Sequence, residues 1–377
     1  MLVVGEASGD AHAAGLAKRL REISPEIKFF GATGAKMREA GVETIVKADD
    51  LSIVGLLEIG RALPMFWQTF QKLKKSAIER KPDAVILVDF PDFNLKLAKS
   101  LKKQGLTVIY YISPQLWAWR KYRIRTIKNS VDLMLTILPF EKDWYAKEGF
   151  HQVEYVGNPL AGEIKAETTK EEFCQKHGLD SQKPIVSLLP GSRHKEIVRI
   201  LPVLLETAVL MSKQNNNLQF AVAMASTRRM TEFETAKSKI QDLPESLIVV
   251  QNETWDALNA SDAAAVTSGT ATLETAIIGT PMVIVYKTSA VNYKLLRPLI
   301  DVPHFGLINL IAQERLATEL IQDDFTKETL SAELFRLLEV NENQKMRGRL
   351  TEVTETLGHG GTARRAAELI SEKLRKK

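Results

Sequence analysis

Short β-rich runs alternate with helical stretches along almost the whole chain, and this alternation constrains the fold more than any motif does. Strands are expected at 2–5, 27–30, 84–88 (AVILV), 107–112 (TVIYYI), 131–137, 153–156, 185–189 (IVSLL), 218–223, 247–250, 263–267 and 282–286 (MVIVY). Stretches of helical length, such as 93–104 and 197–213, separate most of them. Repetition of strand, helix, strand is the pattern of βαβ units and parallel sheets. So many strands would overfill one sheet, so two are expected. The seam falls in 158–183, a polar stretch carrying proline and glycine just before a new strand.

The second half restarts the pattern of the first. VVGEASGDAHAAGLAKRL and SLLPGSRHKEIVRILPVLL both run strand, glycine turn, helix. After 326 only helices are expected, over 326–339, 343–357 and 361–376. The chain is therefore expected to be α/β, with two Rossmann-like parallel-sheet domains facing a cleft and C-terminal helices; the domains are 1–160 and 161–345, followed by 346–377. A length of 377 residues, 45% hydrophobic and 26% charged, supplies two such cores. One cysteine, Cys174, excludes an internal disulfide and points to a reducing compartment. No window offers about 18 uninterrupted apolar residues, so no membrane span is expected. MLVVGEASGD has no basic leader pattern, so a cytoplasmic protein is expected. Its strand opens so close to Gly5 that a few strand residues are expected upstream of Met1. The net charge of +5 suits an acidic partner without choosing one.

Parallel α/β sheets bind ligands at the carboxyl ends of their strands, so the informative residues should follow strands. In LLPGSRHKEI (188–197), Gly191, Ser192 and Arg193 stand where a strand ends and a helix opens. Unpaired first-turn amides favour an anion there, and a guanidinium matches phosphate oxygens; an ordinary turn with a solvated arginine is the alternative. VTSGTATLETA (266–276) repeats the logic with Ser268, Gly269 and Thr270. Glu274, one turn further, suits the two hydroxyls of a ribose, or else serves as a capping carboxylate. Two such helix N-termini in one domain could hold one diphosphate.

VDFPDFN puts Asp89 at a strand end, placed to act as a general base, and Asp92 where it should cap a helix beginning near Phe93. The spacing is not D-x-D and the six histidines are scattered, so no metal is expected. His12 is the one histidine expected to face the cleft. SPQLWAWRKYRIRTIK (113–128) interleaves Trp117, Trp119 and Tyr122 with Arg120, Lys121, Arg123, Arg125 and Lys128. Single-stranded nucleic acid, a phosphorylated lipid and a solvated basic face all fit that pattern, and without an RRM, KH or zinc pattern nucleic acid is not expected. LSIVGLLEIGRALPMFWQTF (51–70) has only Glu58 and Arg61 as charges and is followed by KLKK. Two helices are expected there, the second opened by Pro64, either buried or lying at a membrane interface with Trp67 and the lysines as anchors.

GEASGD, DFPDFN, SPQLWAWR, LPFEKDWY (138–145), YVGNPL (155–160), LLPGSR, SGTATLE, GTPMVIVYK (279–287) and NLIA (309–312), in this order, resemble the blocks of the lipid-A-disaccharide synthase family over essentially the whole chain. The resemblance implies a GT-B glycosyltransferase of lipid A (lipopolysaccharide) biosynthesis. It would join UDP-2,3-diacylglucosamine to 2,3-diacylglucosamine 1-phosphate and release UDP. It implies no cofactor, and a peripheral enzyme on the inner face of the cytoplasmic membrane, held through 51–70. The domain 1–160 would be the acceptor and membrane side, and 161–345 the UDP-sugar domain. The helices of 346–377 would pack back on the first domain or be exchanged in a homodimer. The anion at PGSR becomes the diphosphate, bound by Gly191, Ser192, Arg193, Ser268, Gly269 and Thr270, with Glu274 on the ribose. Asp89 becomes the base, Arg193 the stabiliser of the leaving group, and Asn309 matches a position tied to activity. Ser8, Asp10, His12, Trp117 and Arg120 fall on the acceptor side. Ile308 and Thr318 stand where this family often has proline, a difference of loop stiffness. A UDP-sugar 2-epimerase shares the architecture but would not need the apolar 51–70, and a basic RNA-binding protein would leave the double anion site unexplained.

Overall fold

The computed structural model describes residues 1–48, 59–224, 230–297 and 302–376. The chain separates into two compact units, Met1–Pro159 with His359–Lys377, and Leu160–Gly358.

In the first unit the elements run β1 (Leu2–Val3), α1 (Ala7–Ile23), β2 (Phe30–Thr33), α2 (Ala35–Glu39), β3 (Glu43–Lys47), α3 (Ile59–Arg80), β4 (Val85–Val88), α4 (Pro91–Lys102), β5 (Val108–Tyr111), α5 (Ile124–Ser130), β6 (Leu133–Thr136), α6 (Glu141–Lys147) and β7 (Val153–Tyr155). The strands form one parallel sheet in the order β3-β2-β1-β4-β5-β6-β7. Successive side chains of a strand point to opposite faces, and the core divides accordingly. Leu2, Val4, Ile86, Val88, Ile109 and Tyr111 pack on α1 and α2 on one face. Val3, Val85, Leu87, Val108 and Tyr110 pack on α3, α4 and α5 on the other.

The second unit runs α7 (Lys170–His177), β8 (Ile185–Leu189), α8 (His194–Gln214), β9 (Gln219–Met224), α9 (Met230–Lys237), β10 (Leu247–Gln251), α10 (Thr254–Ala260), β11 (Ala263–Thr267), α11 (Thr270–Ile278), β12 (Met282–Tyr286), α12 (Ala290–Leu296), α13 (Leu307–Ala312), β13 (Glu319–Ile321), α14 (Lys327–Leu338) and α15 (Val340–Glu355). Its parallel sheet has the order β10-β9-β8-β11-β12-β13. The last helix, α16 (Thr362–Arg375), belongs to the first unit. Its Ala366, Ala367 and Ile370 join the core face that holds Ala13, Leu16 and Ala17 of α1.

Four elements differ from expectation. β2 lies at 30–33 rather than 27–30. β3 and β13, which the apolar pattern does not mark, each lie at one edge of their sheet, and β3 is largely exposed. An edge strand buries too little to need an apolar run. Pro64 does not open a helix: α3 already runs from Ile59 and carries it inside. Without an N–H, the proline leaves the carbonyl four residues before it without its intrahelical partner.

Residues 51–58, eight of the twenty in the expected apolar surface, lie outside the described residues. Further along α3 the helix has two faces. Phe66, Phe70, Leu73 and Ala77 recur at helical spacing and pack on the sheet, with Phe66 against Phe90 and Phe93 at centroid distances of 6.4 Å. Trp67 is 64% exposed and stacks only on Phe70 within this helix, at 6.2 Å. Truncating Phe66 to alanine should therefore cost about 1–3 kcal/mol in urea unfolding. The Trp67→Ala change should stay within about 0.5 kcal/mol, and equal losses would show that Trp67 is a core residue.

Candidate active site

In each sheet one pair of neighbouring strands has its successors leaving in opposite directions. In the first unit that pair is β1 and β4; in the second it is β8 and β11. Loops at such a switch point diverge and leave a crevice at the carboxyl ends of the two strands. GEASGD and DFPDFN follow the first pair, and PGSR and SGTATLE follow the second.

After β4 the chain takes two consecutive left-handed residues, Asp89 at φ 48° and Phe90 at φ 50°. Each costs on the order of 1–3 kcal/mol for a residue with a side chain, so the turn must be held from outside. The Asp89 carbonyl accepts the Tyr110 hydroxyl and the Asn94 side-chain amide, both at 2.7 Å, and the Asp89 amide donates to Tyr111 at 3.0 Å. The Phe90 ring covers Gly5, where a Cβ would come within 2.3 Å of it, so the glycine of GEASGD is required by this ring. The Asp89 carboxyl itself is half-buried. Burial raises its pKa, the nearby Glu6 adds to the rise, and the Phe90 amide opposes it. A carboxylate made more basic while backed by a fixed backbone is suited to proton abstraction.

The acceptor-side residues divide. Ser8 is exposed in the first turn of α1, which no side chain caps, and His12 is half-buried one turn on. Asp10 is buried, and its carboxylate accepts the amides of Gly34, Lys36 and Met37 at 3.0, 2.8 and 3.1 Å. It is the cap of α2, supplied from another helix, and its lone pairs face the protein. Asp92 does not cap its own helix, which begins at Pro91. Its carboxylate instead pairs with Arg120 at 2.8 Å and with Arg123. Arg120 also lies over the Trp119 ring, 4.1 Å from its centroid. Trp117 donates its indole N–H to Glu141 at 3.1 Å, and Ser113 meets the Tyr145 hydroxyl at 2.8 Å. The blocks DFPDFN, SPQLWAWR and LPFEKDWY are thereby tied into one cluster.

Glu141 is a residue that sequence reasoning missed. It is buried, accepts the Leu138 amide at 3.1 Å as well as Trp117, and burial pushes its carboxyl up to about 7 against these donors.

In the second unit Thr267 at the end of β11 donates its hydroxyl to the Leu189 carbonyl at the end of β8, 2.8 Å away. The two glycine turns are therefore side by side. Gly191 has φ 96°, and Gly269 has φ 152° with ψ −160°, a conformation that is essentially glycine-only. Gly269 and Thr270 are exposed, and no side chain caps α11. At α8, Ser192 and Arg193 are exposed, but the anion position is not empty of charge. Glu196 accepts the Arg193 amide at 3.3 Å and its guanidinium at 3.0 Å. Glu196 is the second residue missed; its signal is a carboxylate three positions after the helix N-cap. Glu274 is half-buried, with one oxygen held by the Trp255 indole at 2.9 Å, a partner that spacing does not reveal. Ser268 donates its hydroxyl to the Phe305 carbonyl at 2.8 Å. Asn309, expected among the reacting groups, is fully buried. Its side chain bonds the Ala317 carbonyl and amide, each at 2.8 Å, and Glu319 at 2.9 Å.

Two Rossmann-like units, each with its turns at a switch point, are the architecture of GT-B glycosyltransferases. The structure of the calicheamicin glycosyltransferase CalG4 matches with a TM-score of 0.58 at 13% identity, covering 100% of this chain and 97% of that one. The UDP-GlcNAc 2-epimerase from Neisseria meningitidis bound to UDP-GlcNAc matches with a TM-score of 0.52 at 12% identity, over 98% of both chains. These likenesses are of fold and do not separate transferase from epimerase. The sequence does. The chain matches the Lipid-A-disaccharide synthetase family over residues 1–374. It is 43% identical to the lipid-A-disaccharide synthase of Trichlorobacter lovleyi over 98% of this chain and 96% of that one. The chain belongs to the lipid-A-disaccharide synthase family and is a glycosyltransferase.

The Glu141 environment gives a pH prediction. A carboxyl raised from 4.5 to about 7 on folding binds a proton more tightly in the native state. Stability is then greatest below the unfolded value and falls as pH rises through the folded one. Wild-type unfolding free energy should drop across that window by on the order of 3 kcal/mol, and the melting temperature should fall with it. The Glu141→Gln variant should lack this component; parallel melting curves for the two proteins would remove Glu141 as its source.

Proposed function

We propose that the chain transfers 2,3-diacylglucosamine from UDP to the 6-hydroxyl of 2,3-diacylglucosamine 1-phosphate, with inversion, giving the β-1,6-linked disaccharide 1-phosphate and UDP. One observation carries this reading beyond the family. Two glycine turns lie at adjacent strand ends in the second unit, one opening α8 with an exposed guanidinium and its Glu196 counterion, the other opening the uncapped α11 with a half-buried carboxylate one turn in. Unpaired amides and Arg193 suit a diphosphate, and Glu274, oriented by Trp255, suits two ribose hydroxyls.

In the reaction the acceptor oxygen forms a bond to the anomeric carbon while the bond from that carbon to the β-phosphate oxygen breaks. The hydroxyl proton passes to the Asp89 carboxylate, and the electron pair leaves with UDP. Negative charge grows on the β-phosphate, where Arg193, Ser192 and the first-turn amides of α8 and α11 stabilise it. Arg193 must let go of Glu196 to do so. The acceptor takes the first unit, beside Ser8 and the cluster of Trp117 and Arg120. The acyl chains of both substrates suit a membrane-bound site, reached through 51–70, and Trp67 is the exposed aromatic of its described part. The peripheral enzyme would then work on the inner face of the cytoplasmic membrane.

Removing the guanidinium with Arg193→Ala should lower turnover of UDP-diacylglucosamine by about 10²–10³. Melting should be unchanged, because that side chain is 83% exposed. Near-normal turnover would take Arg193 out of the chemistry. For Asp89 the pH dependence decides. The base works ionised, so the rate should fall as pH drops through a value above the ordinary carboxylate range. Asp89→Asn should bind UDP as wild type does while its residual rate loses that acid limb. Loss of UDP binding with the limb retained would make Asp89 a donor-site residue.

A further inference from the structure

Behind the α11 turn lies a chain of hydrogen bonds that no ligand needs to touch. Glu319 opens β13, and its carboxylate gathers three donors. The Phe305 amide reaches both oxygens at 3.0 Å, the Gly306 amide reaches Oε1 at 2.8 Å, and the Asn309 side-chain amide reaches Oε1 at 2.9 Å. Asn309 cannot turn away, since its other contacts clasp the Ala317 peptide on both sides. The Gly306 backbone packs closely on β12, where a Cβ would come within 2.2 Å of the end of the Ile284 side chain. The peptide so fixed presents the Phe305 carbonyl to the Ser268 hydroxyl at 2.8 Å, and the Ser268 amide donates to Val285 at 2.9 Å. Ser268 is thus held from both sides immediately before Gly269 and the uncapped amides of α11.

We propose that Glu319 is a positioning residue for the nucleotide diphosphate, acting through Phe305 and Ser268 on the direction of the α11 amides. The inference rests on the proposed reading that this turn receives UDP. It also gives buried Asn309 its role, which is to hold the Glu319 carboxylate in one rotamer. A carboxylate is acceptor-only and can serve all these donors at once. A glutamine of the same shape would turn N–H groups against the Phe305, Gly306 or Asn309 donors, and the peptide would move with it.

The test is a double-mutant cycle read by calorimetric titration with UDP, on wild type, Glu319→Gln, Ser268→Ala and the double variant, each with a melting curve. Each single change should weaken UDP binding by about tenfold, and the double should be no weaker than the poorer single, because both break the same path. In turnover, Glu319→Gln should raise KM for the UDP-sugar and leave KM for the acceptor unchanged. Additive losses overturn the proposal, as does wild-type UDP affinity in Glu319→Gln. If Glu319→Gln does not fold, Glu319→Asp, which keeps the charge one methylene short, takes its place in the same cycle with the same criteria. Wild-type protein that fails to bind UDP would overturn the functional reading itself, and this inference with it.

Discussion

The constraint on which the rest depends is the reversal of strand order inside each parallel sheet. Where β1 meets β4 and β8 meets β11, the following helices leave to opposite sides. Backbone amides that a helix start leaves unpaired converge at such a point, and a negative ligand satisfies them without any specialised cation. In the second unit this constraint fixes both glycines. Thr267 joins the two strand ends, and a side chain at Gly191 would come within 2.9 Å of Glu196 and 3.3 Å of Thr267.

Glu196 makes that site one that carries its own counterion. Its carboxylate satisfies the amide and guanidinium of Arg193, the two groups we propose for the diphosphate. The pair is local, three residues apart on an exposed helix start, so it is weak and exchanges readily. An arginine held loosely in place loses less side-chain freedom on meeting an anion than one free in solvent. The first unit uses the opposite device. Asp89 and Phe90 sit in left-handed backbone that only a rigid surrounding can maintain, and Tyr110, Asn94 and the Phe66–Phe90–Phe93 cluster provide it.

Much of this is legible in the sequence because it depends on residue type at strand ends. Apolar runs mark the central strands, and β8, β11 and β12 begin and end where those runs do. Glycine followed by a polar first turn marks the anion loops. Of the four edge strands, β7 and β10 are legible and β3 and β13 are not, since ETIVK is largely exposed and ELI is short and opens on a carboxylate. Nor are partners distant in the chain. Asp10 has the look of a site residue because it follows a strand and a glycine, yet the helix it caps starts 25 residues later, at Ala35. Trp255 on Glu274, Trp117 on Glu141 and Glu319 on Phe305 are set by tertiary packing, and no spacing rule encodes them.

The same limit shows how a general base can be told apart from its neighbours. Besides the exposed Asp143 of α6, five carboxylates of the first unit lie in the blocks that look functional. Asp10 has its oxygens on three amides, and a proton acceptor with no free lone pair toward a ligand is a structural group. Asp92 is held by two guanidiniums, which favour the anion and make it a poor base. Glu141 is basic enough, but it is sealed at 1% exposure and faces Trp117 and the Leu138 amide. Glu6 stands exposed at the start of α1, and its charge acts on Asp89. Asp89 alone of the five combines a raised pKa, partial access to solvent and a backbone fixed at the switch point of its sheet. Burial supplies its basicity and the strained turn supplies its direction, and a general base of the kind we propose needs both.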